Sequence, residues 1–362
     1  MDMNGKIAAL LRDFAAIQKS KQRMWGYRRA AAAVLALEEP IESLLQADGT
    51  LRKIPNIGPS SSQVILEVLQ TGTSPTIERA IEESGQSADV ERRGDLRGHF
   101  LSRSQVVAAL RNRKLRGPTL KEYRGDLQMH STWSDGSQTL GQIVEAGIER
   151  GYSFCGVTDH SYGLPIARGV SMARLFEQHL EIDRLNTKHR GTFRLIKGVE
   201  ANIRADGSID MTPAELRRLE LVVAAPHSGL RGTADQTSRM VAAVRVAGVH
   251  ILGHPRGRKY GSRPGITANW DRVFEAAARS GVAVEIDGDP SRQDIDHDLA
   301  GRAIAAGCLF ALDSDAHATR ELAYAETAIA HARLAGVPTE RIINCWPVEQ
   351  LLEWLERRRT RS

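Results

Sequence analysis

Apolar positions at Ile7, Leu10, Leu11, Phe14 and Ile17 recur every three or four residues, which predicts a helix capped by Asn4. An alanine-rich helix over Tyr27–Leu37 stops before Pro40, and a third covers Ile41–Ala47. The run Leu51-Arg-Lys-Ile-Pro-Asn-Ile-Gly-Pro-Ser60 predicts a tight turn, and Gln63–Gln70 a helix that Gly72 ends. Ser102 or Ser104 caps a short helix over Gln105–Arg113, which Gly117-Pro118 breaks. From residue 126 the period changes. Apolar runs at Asp126–His130, Phe154–His160, Phe193–Ile203, Leu219–His227, His250–His254, Ala283–Asp287 and Leu309–Asp315 read as strands. Helical stretches at Leu140–Arg150, Met172–Leu185, Thr237–Val246, Trp270–Arg279, Asp298–Ala306 and Tyr324–Leu334 alternate with them. Seven such units imply an α/β fold whose parallel strands close into a barrel.

The ends of these strands carry the candidate chemistry. In order they read Gln128-Met-His130, Thr158-Asp-His160, Gly198-Val-Glu200, Ala225-Pro-His227, Gly253-His254, Glu285-Ile-Asp287 and Asp313-Ser-Asp315-Ala-His317. In a parallel barrel the carboxyl ends of all strands open on one face, so five of the eleven histidines converge there. Alternate strand residues share a face, which pairs Gln128 with His130 and Asp315 with His317. The tight loop Ser131–Gly136 brings Asp135 back over the same mouth. Neutral imidazole and carboxylate are the ligands that Zn²⁺ and Mn²⁺ accept. A set this large exceeds one tetrahedral site and predicts two or three ions, with Glu200 as the candidate bridging carboxylate. Arg256, Arg258, Lys259 and Arg263 follow His254, and Arg292 lies further on; guanidinium groups hold phosphate oxygens bidentately. Glu200, Asp315, Arg256 and Arg258 are therefore the candidate catalytic set. His99, His179, His189, His250, His297 and His331 read as structural.

Composition narrows the classes. The chain has 362 residues, 41% hydrophobic and 26% charged, which excludes a disordered chain or a collagen and allows two or three domains. No apolar run reaches the ~18 residues of a membrane span, and the N-terminus lacks a signal-peptide pattern. Three cysteines without a CxxC spacing suit a reducing cytoplasm. The net charge of +5 is uneven. Residues 1–85 balance, whereas residues 91–125 hold ten basic residues against three acidic ones. Such a block, with Arg111 and Arg113 in it, predicts a polyanionic partner. The domains expected are a helical domain over 1–85, a basic connector over 86–125 and a barrel over 126–362.

The segments DLQMHSTWSDG, VTDHS, GVEANIRADGSID, APHSG, HPRGR, EIDGDPSRQD and SDAH, in this order over 126–345, resemble the polymerase-and-histidinol-phosphatase (PHP) domain superfamily. The nearest version is similar to the C-terminal domain of bacterial family X DNA polymerases. Residues 1–85, with GYRRAAAAV and IPNIG, are similar to their N-terminal lyase-like domain. The resemblance implies a distorted seven-stranded barrel with a trinuclear site, commonly zinc or manganese. By it, His130, Glu200 and Asp315 hold one ion; Glu200, His227 and His254 a second; Asp135, His160 and His317 a third. It implies phosphoester hydrolysis, often at DNA 3′ ends.

Three departures qualify this. Gln128 stands where the family has a histidine, so one ion is weakly held, is Mn²⁺ or Mg²⁺, or is missing. The ~40 residues before the barrel cannot hold a polymerase palm and fingers, so no polymerase activity is expected. Val64 occupies the place of the lyase lysine and cannot form a Schiff base. The turn at Ile54, Asn56, Gly58 and Ser60 still suits a helix-hairpin-helix that holds a DNA phosphate on backbone N–H groups without reading bases. A phosphoesterase acting on DNA ends is the leading expectation. A small-molecule phosphatase of the histidinol-phosphate kind and a DNA-binding protein with a failed metal site are the alternatives.

Overall fold

The helical periodicity at the N-terminus resolves, in a computed structural model that describes residues 1–360, into six α-helices. These are α1 (Met3–Ala16), α2 (Lys21–Leu35), α3 (Pro59–Thr71), α4 (Pro75–Ser84), α5 (Ser87–Asp95) and α6 (Arg103–Arg111). They belong to one unit, Met1–Asn112 with Tyr260–Ser262; the second unit is Arg113–Lys259 with Arg263–Ser362. Asp2, not Asn4, caps α1 by accepting from Gly5 N at 2.9 Å. Asn4 is buried and ties the helix to the chain ahead, accepting from Ile41 N at 2.8 Å and donating to the Glu39 carbonyl at 3.0 Å. Ser20 caps α2, which starts six residues before Tyr27. The expected helix at 41–47 is one 3₁₀ turn, Ile41–Leu44. Ile7, Leu11, Val34, Ile41, Ile65 and Ile77 close the core, with Val64 buried among them.

Residues 86–112 are not extended chain. They hold α5 and α6, the latter closed by a capping box between Ser102 and Gln105. No residue of α5 is buried, so it carries no apolar stripe for periodicity to detect. Arg97, from the basic run, is buried against Asp13, to which its two terminal nitrogens donate at 2.6 and 2.7 Å.

The second unit contains β1 (Gly125–Met129), β2 (Phe154–Val157), β3 (Arg194–Asn202), β4 (Leu221–Ala225), β5 (Ile251–Leu252), β6 (Ala283–Asp287) and β7 (Leu309–Asp313). They pair in sequence order and all in parallel. Helices α7 (Leu140–Glu149), α8 (Met172–Lys188), α9 (Pro213–Leu216), α10 (Thr237–Arg245), α11 (Trp270–Ser280), α12 (His297–Ala305) and α13 (Ala325–Ala335) fall between or after the strands. The C-terminal helix α14 (Val348–Thr360) packs Leu351, Trp354 and Leu355 onto Leu127, Phe154, Leu221, Ile251 and Ala283. These strand residues lie at the amino ends, so α14 stops the barrel at its base and leaves the carboxyl ends open.

Closure between β1 and β7 relies on side chains. Leu127 N donates to Asp313 Oδ1 at 2.8 Å, and Ser314 N to Asp126. Asn344 wedges between the strands: its amide nitrogen donates to the Gly125 and Leu312 carbonyls, each at 2.9 Å, and its Oδ1 accepts from Leu312 N at 2.7 Å. One backbone bridge, Met129 with Ala316, completes the seam. Burial and the charge of Asp313 push the Asp126 carboxyl up to about 8. A register shift between Asp126 and Met129 reorients the end of β1 just before His130.

Candidate metal centre

Glu200, two residues before the end of β3, is fully buried at the centre of the open end. Its Oε1 lies 2.8 Å from His254 Nε2 and 3.2 Å from His227 Nε2. Its Oε2 lies 3.1 Å from His160 Nδ1 and 3.3 Å from His130 Nε2. One carboxylate therefore faces four imidazoles, two on each oxygen. Asp315 Oδ1 approaches His130 Nε2 at 3.1 Å. Asp135 Oδ1 faces His317 at 3.5 Å, His160 at 3.6 Å and His130 at 3.9 Å. Three ligand groups overlap: His130, Asp135, His160 and His317; His160, Glu200 and His227; His130, Glu200 and Asp315. The rings of His130 and His160 stack at 4.4 Å, those of His130 and His317 at 4.3 Å. Two of these residues sit at positive φ, His254 at 22° and Asp315 at 52°. That conformation is uncommon outside glycine and is held here by surrounding structure.

The donors fit divalent cations. His130 Nδ1, His254 Nδ1 and Glu200 Oε2 are buried and find no hydrogen-bond partner among the described residues. Leaving such groups unpaired is costly, and a cation in the cluster would satisfy His130 Nδ1 and Glu200 Oε2, while His254 turns its Nε2 to Glu200. The charges are set for the same role. Burial would raise the Glu200 carboxyl, yet His160 and His227 hold it well below the usual carboxylate range. Burial also opposes a charged Asp135, but His317, His130 and His160 bring it down to about 2. Burial lowers His160 to about 4, which keeps a neutral lone pair available. Gln128 is buried too, and both atoms of its amide lack partners. A Cβ placed on Gly253 would come within 3.3 Å of its Oε1.

Asn202, absent from the sequence-based set, accepts from His227 Nδ1 through its Oδ1 at 2.6 Å and donates to Asp210 Oδ2. It fixes the ring so that Nε2 points at Glu200. The signal was present: Asn202 follows Glu200 by two residues and shares its face of the strand.

Carboxylates of the 294–296 segment hold Arg256 and Arg258. Arg256 pairs with Asp294 at 3.1 Å and Asp296 at 2.6 Å, and Arg258 with Asp296 at 3.1 Å. Arg258 also donates to the carbonyls of Arg292 and Gln293. Both thus anchor the segment that carries Arg292. Arg292 itself stands at the cluster, with Nε 3.2 Å from Asp315 Oδ2 and 3.6 Å from Asp287 Oδ2.

The turn before α3 lies in the other unit. Asn56 adopts φ 64°, and Ile57 N closes the turn on the Ile54 carbonyl at 3.2 Å. Ile54 is buried, whereas Asn56, Gly58 and Ser60 are exposed. No side chain caps α3, and a Cβ on Gly58 would meet nothing within 4 Å. The first turn of α3 is therefore open to an anion. Arg111 and Arg113 are exposed at the end of α6 and just beyond it.

Residues 2–74 match the family model of the helix-hairpin-helix domain. A stretch of 239 residues, 66% of the chain, is 33% identical to the DNA polymerase/3′-5′ exonuclease PolX of Bacillus subtilis. The chain spans 42% of the length of that protein. Over 247 residues, 65% of the chain, it is 28% identical to the probable phosphatase YcdX of Escherichia coli K12 and covers 95% of it. These matches support the resemblance to PHP-domain proteins and to PolX. Among solved structures, the histidinol phosphate phosphatase of Lactococcus lactis, complexed with zinc, L-histidinol and phosphate, aligns with 57% of this chain and 92% of its own. That alignment has a TM-score of 0.43 and 19% identity. Among the described residues no helix is long and apolar enough to cross a membrane.

Proposed function

We propose that this protein is a metal-dependent phosphoester hydrolase that acts on nucleic acid, removing nucleotides or phosphate from DNA 3′ ends. The observation that carries the reading is Glu200, a buried carboxylate between four imidazoles. His130, Glu200 and Asp315 would hold one divalent cation, Glu200, His227 and His254 another, and Asp135, His160 and His317 a third, with Gln128 as an added oxygen donor. Zn²⁺ and Mn²⁺ suit these donors, and Mg²⁺ the oxygen-rich side. When loaded with cations, such a centre would supply an activated water and charge compensation for the phosphoryl oxygens. The chain's own residues do the positioning. Asn202 orients His227. Arg256 and Arg258 hold the Arg292 segment, and Arg292 takes the phosphate-binding role that the sequence suggested for them. The helix-hairpin-helix turn at Ile54–Ser60 grips a DNA phosphate, with Arg111 and Arg113 adding salt-sensitive affinity. The helical unit would serve as the DNA-binding domain and the barrel as the hydrolase. Cys155, Cys308 and Cys345 are all free, which suits a cytoplasmic protein.

The test is Mn²⁺-stimulated release of 3′-terminal nucleotides from labelled DNA, with the metal content of the same sample measured by elemental analysis. Loss of release in His227→Ala supports the reading. Equal turnover of a small phosphate monoester by the parent chain and by a Gly58→Val variant, with no turnover of DNA, would favour a small-molecule phosphatase. The near-complete coverage of YcdX supports that second reading.

A further inference from the structure

The helical unit contains a cavity of about 640 Å³ away from the Ile54–Ser60 turn. Its walls come from α1, α2 and α5 and include Arg12, Trp25, Arg28, Arg29, Arg93 and Arg97. Five guanidinium groups thus share one concavity. Arg97 alone has a carboxylate partner, Asp13; the other four have no ion pair among the described residues. Arg12 Nε, Arg93 Nη1 and Arg97 Nε are buried without a hydrogen-bond partner. Burial, together with the charges of Arg97 and Arg28, pushes Arg12 below its ordinary value in spite of Tyr260. Gathering like charges around unsatisfied donors is unfavourable unless an anion fills the space.

Trp25 indicates which anion. It is 51% exposed at the pocket's edge, and the Arg28 guanidinium lies over its ring at a centroid distance of 5.2 Å. An open indole beside a phosphate-binding cluster is the arrangement that stacks a base while holding its backbone. A free phosphate would have no use for the ring. A duplex keeps its bases inside the stack.

We infer that the pocket between α1, α2 and α5 binds a single-stranded nucleic-acid segment, with phosphates on Arg12, Arg28, Arg29 and Arg93 and a base on Trp25. The site is separate from the helix-hairpin-helix turn and does not depend on hydrolysis at the barrel. It also gives part of the basic run over 91–125 a specific place, because Arg93 and Arg97 line the pocket.

The test is fluorescence anisotropy with a labelled twelve-residue oligothymidylate. It uses the full chain carrying His227→Ala, so that cleavage does not confuse binding, over a range of salt concentrations. Adding Arg28→Glu with Arg93→Glu is expected to weaken binding at least about tenfold and to reduce the slope of log K against log salt by about 1.4, for two lost phosphate contacts. Trp25→Ala is expected to weaken it about tenfold and Trp25→Phe much less. Thymidine monophosphate and inorganic phosphate at equal phosphate concentration are expected not to displace the oligonucleotide. Should the double charge reversal lower the melting temperature, Trp25→Ala carries the test. Parent-like affinity in both the double variant and Trp25→Ala would overturn the inference, as would displacement by the monophosphate as effective as by the oligonucleotide. If Gly58→Val removes all DNA binding while the pocket variants bind as the parent does, the pocket assignment falls and the reading of the turn stands.

Discussion

His250 and His254 flank the same two-residue strand, yet they do opposite things. His250, at the base of the barrel, is fully buried, accepts from Val222 N at 3.1 Å and donates to the Leu355 carbonyl at 3.0 Å. Both nitrogens are satisfied by backbone, and burial lowers the ring to about 4. It is a neutral pin between β4 and α14. His254, at the mouth, places Nε2 2.8 Å from Glu200 and leaves Nδ1 without a partner. Desolvation is similar at the two positions. What differs is whether backbone meets both ring nitrogens or a carboxylate shared with other imidazoles meets one of them. The first arrangement holds a fold together, and the second is built for a cation.

The largest effect expected along this contrast is at the mouth. Glu200→Gln removes the carboxylate shared by four imidazoles; bound metal measured by elemental analysis should fall, and hydrolysis by about 10³-fold. Retained metal and rate would break the distinction between the two ends. Removing metal with a chelator should lower stability by about 3 kcal/mol when ions had been present at roughly a hundred times their dissociation constant. Thermal melting with and without added Mn²⁺ or Zn²⁺ measures this, and no shift would mean that the mouth holds no ion. Next comes Asn202→Ala, which frees the His227 ring and should weaken metal affinity about 10–100-fold, read by competition with a chromogenic chelator.

The smallest expected effect lies at the base. The folded-state value of His250 is below its unfolded value of about 6.5, so the native state binds fewer protons as pH falls. Its contribution is intact above about pH 6.5 and declines as pH drops toward 4. At pH 5 the loss is on the order of 2 kcal/mol. His250→Asn should flatten denaturant-derived stability between pH 7 and 5 relative to the parent, with metal content unchanged. A parallel pH profile in the variant would show that His250 is not the pin described.

Much of this was legible in the chain. The strand–helix alternation located all seven strands because parallel strands buried on both faces read as apolar runs. The clustered histidines were legible because parallel strands end on one face. Less legible was α5, which buries nothing and so leaves no stripe, while α4 is announced only by the Ser74-Pro75 cap at its start. The arginines after His254 carried the right chemistry for phosphate, but Asp294 and Asp296, nearly forty residues away, draw two of them aside. Asn344 closing the seam is likewise a contact across more than two hundred residues with Gly125.

Residue type and period alone determined the architecture and the kind of donor at each strand end, because local propensity and the alternation of faces act over a few residues. Only the tertiary structure decided which buried histidine meets backbone and which meets a carboxylate, and which arginine faces the cluster. Those outcomes depend on long-range neighbours that set desolvation and charge, and no short window of sequence contains them.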